Sequence, residues 1–267
     1  MRISRKLKKV IQDVAVVAQW LWMKGWAEQN AGNISVDVTD MISARPAGRF
    51  KLFKPSMRID PALSQRCLLV TVAGSRMRDI LKAPTRNLML IKLSASGKRY
   101  TLLWGGNGDK SRPTSEIDSH LAVHALMRHE HKSQKVFMHT HPIHLIALSH
   151  IPDYAVSEKA LNDLLFSAHP EVAIALPEGI GLAPYRCPGT KELSAVTMSA
   201  LTRHRVVLWE KHGCAAVGDN VFQALDLIDV ANKAAAIYLL CRASGNKFQG
   251  LTKKQIGDVI RRFVPDS

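Results

Sequence analysis

The sequence predicts an α/β fold whose sheet is mixed or antiparallel, with helices on its faces. Segments of helical periodicity alternate with short apolar or alternating runs along the 267 residues. Several neighbouring strand candidates lie too close together for the crossover that a parallel pair requires. A chain of this length can bury a sizeable core, and residues 1–267 read as one domain.

From Lys6 to Lys24, Val10, Ile11, Val14, Val17, Ala18, Leu21 and Trp22 recur at helical spacing, and Gly25 ends the helix. Ile34 to Thr39 alternates apolar and polar residues as a strand does. Residues 41–61, with Pro46, Gly48 and Pro55, read as a long loop. Cys67 to Ala73 is a buried-strand candidate running into Gly74-Ser75, and Arg76 to Leu81 a short helix. Leu88–Leu93 and Tyr100–Trp104 form a hairpin around Ser96-Gly97. Ser115 opens a helix to about Glu130, Val136 to His139 is a strand, and Pro142 to Leu148 has helical spacing. Ser157 to Ala168 reads as a helix and Val172 to Leu176 as a strand. Gly189-Thr190 precedes a helix to Arg203, Val206 to Trp209 is a strand carrying His212 near its end, and Val221 to Arg242 is a long amphipathic helix. No internal repeat is visible.

Composition narrows the function. No apolar run is long enough to span a bilayer, so no membrane partner is expected. The basic start, Met1 to Lys9, is not followed by an uninterrupted apolar region, and a cytoplasmic location is expected. Cys67, Cys187, Cys214 and Cys241 form no C-x-x-C pair, which argues against a disulfide scaffold or a structural zinc cluster. The net charge of +15 favours anionic partners. Its residues are dispersed apart from clusters at 2–9, 45–58 and 253–262, and no nucleic-acid-binding signature accompanies them. Nucleic acid is therefore not the expected main partner; the charge reads as a solvated basic surface, which leaves a phosphorylated metabolite open.

The chemistry concentrates in a few residues. His139 and His141, spaced i and i+2 on a strand, point to one face while Thr140 points away. With His212 from Lys211-His212-Gly213 they make three ligands, the usual number at a catalytic zinc, which leaves Glu116 free as acid or base. The competing reading is ordinary: the chain has eleven histidines, and an isolated one on a strand is more often a hydrogen-bonded core residue. Cys214 would share a face with His212 on a strand, but reads as a small buried residue. Three segments could cradle a phosphate: Asn30-Ala31-Gly32-Asn33 in a turn, Gly74-Ser75 before a helix, and Thr114-Ser115 at a helix start.

The runs Lys24 to Asn33, Pro113-Thr114-Ser115-Glu116, His139-Thr140-His141-Pro142 and Trp209-Glu210-Lys211-His212-Gly213 resemble the class II aldolase/adducin family, and within it the rhamnulose-1-phosphate aldolase branch. The resemblance implies a central, mostly antiparallel sheet flanked by helices in three layers, and a homotetramer with fourfold symmetry. It implies one zinc ion per subunit on His139, His141 and His212, with Glu116 as catalytic acid/base. It sets the substrate phosphate among Asn30, Gly32, Asn33, Gly74, Ser75 and Ser115, and Glu171 as a second functional carboxylate near a subunit boundary. The activity implied is retro-aldol cleavage of L-rhamnulose 1-phosphate to dihydroxyacetone phosphate and L-lactaldehyde, a step of L-rhamnose catabolism. Related fuculose or ribulose phosphate aldolases, epimerases and dehydratases, and non-catalytic adducin-like interaction modules, use the same scaffold. Two departures touch the phosphate segments: Ala31 replaces the first of the family's paired glycines, and Gly74-Ser75 lacks the usual Gly-Ser/Thr-x-Lys form.

Overall fold

A computed structural model describes residues 3–42, 52–53, 59–106, 111–155 and 157–264. Among these, nine strands form one sheet: β1 (Asn33–Asp37), β2 (Leu52–Phe53), β3 (Cys67–Thr71), β4 (Leu88–Leu93), β5 (Tyr100–Gly105), β6 (Val136–Thr140), β7 (Gly181–Ala183), β8 (Val206–Trp209) and β9 (Gly213–Gly218). Their spatial order is β2-β5-β4-β3-β1-β6-β9-β8-β7. Every neighbouring pair is antiparallel except β7 and β8, whose connection contains a helix and so permits the parallel return.

The described helices are α1 (Arg5–Met23), α2 (Met77–Ile80), α3 (Pro84–Asn87), α4 (Ile117–His129), α5 (Ile143–Leu148), α6 (Pro152–Ala155), α7 (Glu158–Ala168), α8 (Pro170–Ala175), α9 (Lys191–Leu201), α10 (Val221–Ala243) and α11 (Lys253–Phe263). Ser4 caps α1 by accepting from the Leu7 N–H, and Gly25 ends it at φ +72°, a conformation glycine adopts without a Cβ penalty. Strand periodicity sorts the core. Ile34, Val36 and Met138 face α1, α5, α7 and α10, in a cluster with Leu21, Leu148, Leu161 and Ile228. The opposite face meets α4 and α9: Leu68, Val70 and Met89 pack with Leu121 and Ala125, and Phe137, Val207 and Ala215 with Val123 and Leu193. The result is helix, sheet, helix in three layers, as anticipated. No helix among the described residues is long and apolar enough to cross a membrane.

Four local expectations are corrected. Val172 to Ala175 lies in a helix, α8, which Leu176 caps and for which Pro170 supplies the first-turn proline; the strand of this region is β7, a few residues on. Gly213–Gly218 is a strand, so His212 sits in the turn before it, not on the end of β8. Helix α4 begins at Ile117, with Glu116 as the capping position, two residues after the expected opening at Ser115. Within 41–61 the chain makes the edge strand β2 and starts a 3-10 turn at Pro61; 43–51 and 54–58, and with them most of the 45–58 basic cluster, lie outside the described residues.

Candidate active site

Strand β6 delivers His139 to the sheet centre, opposite Asn33 on β1 and Ala215 on β9. His141 follows the strand, its main-chain N–H donating to the Trp26 carbonyl at 2.9 Å. Thr140 turns to the other face, and its hydroxyl donates to the same carbonyl at 2.7 Å. His212 comes from the β8–β9 turn. That turn needs Lys211 at φ +58°, with its N–H donating to the Ser149 hydroxyl at 2.8 Å and the His212 N–H donating to the Trp209 carbonyl at 3.1 Å. One potential ligand atom from each of the three histidines lies within 4.8 Å of the others.

The ring environments suit a metal. His139 Nδ1 is 3.0 Å from the Cys214 carbonyl oxygen, which can only accept, so Nδ1 carries the proton and Nε2 is bare. His141 Nδ1 pairs in the same way with Glu28 Oε1 at 2.6 Å. His212 Nδ1 is buried with no hydrogen-bond partner, an arrangement that costs free energy unless something occupies the site. Burial, followed by the neighbouring imidazoles, holds His139 well below the usual histidine range and His212 down at about 4. Both are therefore neutral at pH 7, the form a metal requires. Burial pushes the Glu28 carboxyl up, but its hydrogen bond and charge interaction with His141 bring it to a net lowering. Trp209 stacks on the His139 ring at 4.3 Å between centroids. Gly213 leaves the space the rings need: a Cβ there would lie 2.7 Å from His139 Cε1 and 2.8 Å from His141 Cδ2.

Glu116, 9% exposed, faces the same cavity. As the capping residue of α4 it makes no side-chain bond to the helix, and its Oε2 accepts from Asn33 Nδ2 at 2.7 Å. Burial raises its carboxyl, only partly opposed by the Asn33 hydrogen bond and the charge of His141. A group so placed can hold a proton closer to neutrality than an exposed glutamate can.

The cavity, about 150 Å³, brings together nearly all the residues singled out in the sequence. Asn30, Gly32 and Asn33 form one wall, Gly74 and Ser75 a second, Ser115 and Glu116 a third, and His139, His141 and His212 the floor. Gly32 is at φ +80°, and a Cβ there would meet the His139 carbonyl at 3.2 Å. Ser75 has both donors engaged, its N–H with the Val72 carbonyl at 3.0 Å and its hydroxyl with the Asn87 carbonyl at 3.2 Å. Gly74, also at positive φ, and Ser115 are exposed at the rim. Glu171 is not among the lining residues; it stands exposed in the first turn of α8. The Cys214 thiol is fully buried and pushed above the ordinary thiol range by that burial, and the residue's part in the site is its carbonyl. Sequence reasoning missed Glu28, the partner of His141, and the packing role of Gly213, although both lay inside the motif runs.

The sequence matches the family model described as class II aldolase and adducin N-terminal domain over residues 12–239. A rhamnulose-1-phosphate aldolase of Bacteroides thetaiotaomicron is 35% identical over 262 residues, covering 96% of this chain and 95% of that protein. One from Listeria monocytogenes is 30% identical over 259 residues, covering 95% and 92%. Among solved structures, a sugar-phosphate aldolase from Thermotoga maritima aligns with a TM-score of 0.79 at 33% identity, over 91% of this chain and 99% of that one. An L-fuculose 1-phosphate aldolase, 18% identical, shares the fold at a TM-score of 0.64 over 96% of each chain.

Proposed function

This chain belongs to the class II aldolase and adducin family and is an enzyme of the class II aldolase type, and we propose that it cleaves L-rhamnulose 1-phosphate to dihydroxyacetone phosphate and L-lactaldehyde. In this reading residues 1–267 act as one domain of the family, in a cytoplasmic homotetramer serving L-rhamnose catabolism. The observation that carries the reaction class is the meeting of three imidazoles, two of them held below the usual histidine range, and a buried carboxyl raised above its own in one cavity. The choice of sugar is supported by the near-full-length likeness to proteins named for it.

His139, His141 and His212 would hold a zinc ion, which supplies Lewis-acid polarisation of the ketose oxygens when bound. Cys214, through its carbonyl, and Glu28 orient two of the rings so that the bare nitrogens face inward. As the carbon–carbon bond breaks, the hydroxyl on the carbon that becomes the aldehyde gives its proton to the carboxylate form of Glu116, the bond's electron pair stays with the dihydroxyacetone phosphate fragment, and the acid form of Glu116 so made passes that proton to the fragment's carbon. Asn33 supports the carboxylate that results by donating to Oε2. The phosphate would lie at the rim, against Asn30, Gly32, Gly74 and Ser115, with Ser75 shaping the turn. Glu171, remote from the cavity of its own chain, would serve a neighbouring subunit's site.

The test is release of dihydroxyacetone phosphate from L-rhamnulose 1-phosphate by zinc-loaded protein, with fuculose and ribulose phosphates as comparators and a chelated control. Chelator-sensitive cleavage that favours rhamnulose phosphate is the expected result. Absence of cleavage with zinc bound, or a preference for another sugar, would overturn the assignment.

A further inference from the structure

The wall of the cavity behind Glu116 is polar well beyond the reach of any substrate. On β1 the residues facing α4 are Asn33, Ser35 and Asp37, spaced by two along the strand; on α4 the residues facing β1 include His120 and His124, spaced by one helical turn. Ser35 and His120 have no exposed surface, and His124 only 2%. Glu116 Oε2 meets Asn33 Nδ2 at 2.7 Å, Asn33 Oδ1 meets His120 Nε2 at 2.6 Å, His120 Nδ1 meets Ser35 Oγ at 2.6 Å, and Ser35 Oγ meets His124 Nε2 at 2.8 Å.

We propose that His120 is a positioning residue for the reaction: it anchors the Asn33 side-chain amide so that its N–H faces Glu116, with Ser35 and His124 holding His120 in the tautomer this requires. The proposal rests on the reading of Glu116 as the proton carrier. Its logic is donor counting. An ionised carboxylate only accepts, so the Asn33 nitrogen turns toward Glu116 and the amide oxygen toward His120. His120 Nε2 then carries the proton, its bare Nδ1 accepts from the Ser35 hydroxyl, and Ser35 oxygen accepts from His124 Nε2–H. No buried side-chain nitrogen or oxygen of Asn33, Ser35, His120 or His124 lacks a partner, and each link is short.

The surroundings keep both rings uncharged. His120 faces Ser35 and Asn33 from β1, the edge of the Phe137 ring and, farther off, His139 from β6, and His124 one turn along α4. Burial, with a smaller contribution from His124, holds His120 at about 3. Burial holds His124 at about 4 against the pull of Asp37, whose own charge is taken by Arg66 at 2.7 Å. Without His120 the Asn33 oxygen is a buried acceptor with no partner, and the amide is free to leave or to turn that oxygen to Glu116. Either movement removes the one hydrogen bond that favours the Glu116 carboxylate while its burial is unchanged.

The experiment compares zinc-loaded His120→Phe, which fills the space without polar atoms, with His120→Gln, whose amide can still donate to Asn33 and accept from Ser35. His120→Phe is expected to lower kcat by ~10-fold or more with KM and zinc content little changed, as loss of a supporting hydrogen bond does elsewhere. The acidic limb of its kcat–pH profile should move to higher pH, and His120→Gln should restore both. An infrared pH titration of the carboxyl band, identified by its loss in Glu116→Gln, reads the same shift without turnover. Ser35→Ala, a smaller change, should move the band in the same direction if His120→Phe does not fold. An unmoved Glu116 titration in folded His120→Phe or Ser35→Ala overturns the positioning role. Full turnover in Glu116→Gln would instead overturn the functional reading, and the infrared titration separates the two failures.

Discussion

Gly213→Ala tests whether the three imidazoles are a metal centre whose shape is set by packing. The added methyl carbon would lie 2.7 Å from His139 Cε1, 2.8 Å from His141 Cδ2 and 2.8 Å from the Thr140 carbonyl oxygen. Carbon atoms in good contact sit about 3.5–4.0 Å apart, so the rings must retreat by roughly 0.7–1.3 Å. The His139 ring and the Thr140 carbonyl have no soft direction. His139 is held by the Cys214 carbonyl and by the Trp209 face, and Thr140 pairs with Cys214 across β6 and β9. Gly213 is not in the left-handed region, so alanine incurs no backbone strain and the clash is the whole effect. Overpacking of this kind costs about 1–3 kcal/mol of stability. Displacing two ligands by the better part of an ångström should weaken zinc by ~10–100-fold, the range seen when supporting partners of a metal site are lost. Competition against a chromogenic chelator measures that affinity, and urea unfolding of the metal-free protein measures the packing cost separately. Unchanged zinc affinity in a folded variant would refute the assignment of this cluster as the metal centre.

Glu116→Gln should keep zinc, as judged by metal content, yet slow cleavage by ~10²–10⁴-fold, the usual worth of a positioned acid or base. Acid should destabilise the metal-free protein through His120 and His124. Their folded values of about 3 and about 4 lie below the 6.5 of a free histidine, so the unfolded chain binds more protons and stability falls as pH drops below 6.5. At pH 5 that amounts to about 2 kcal/mol for each ring at about 1.4 kcal/mol per unit, and equal urea midpoints at pH 7 and pH 5 would contradict it. The net charge of +15 should make kcat/KM for a phosphorylated substrate fall with rising ionic strength, and a salt-independent value would count against charge-assisted capture.

The legible parts of the sequence were those whose physics is local. His139 and His141 declare a shared face by strand spacing, and α1 declares itself through its apolar stripe and terminal glycine. The misread parts depend on neighbours. Residues 213–218 read Gly-Cys-Ala-Ala-Val-Gly, which has little strand propensity. Small residues are needed there because α10 packs closely on the strand, where a Cβ on Gly218 would come within 2.9 Å of the Ala224 nitrogen. Residues 172–176 form an apolar run too short for its period to separate helix from strand, and the proline at 170 was the better guide.

The chain from Glu116 to His124 was visible in halves. Polar and apolar residues alternate in β1, a pattern common in strands with one face in water, yet all five residues of β1 are buried. A strand covered by helices on both faces should be apolar on both. Asn33, Ser35 and Asp37 break that expectation on the face toward α4, and His120 and His124 break it at matching spacing on the helix. Burying such groups is costly unless each has a partner, so a polar stripe on a central strand implies a complementary stripe opposite it. The partners lie more than eighty residues apart in sequence, which is why neither stripe identified the other before the fold brought them together.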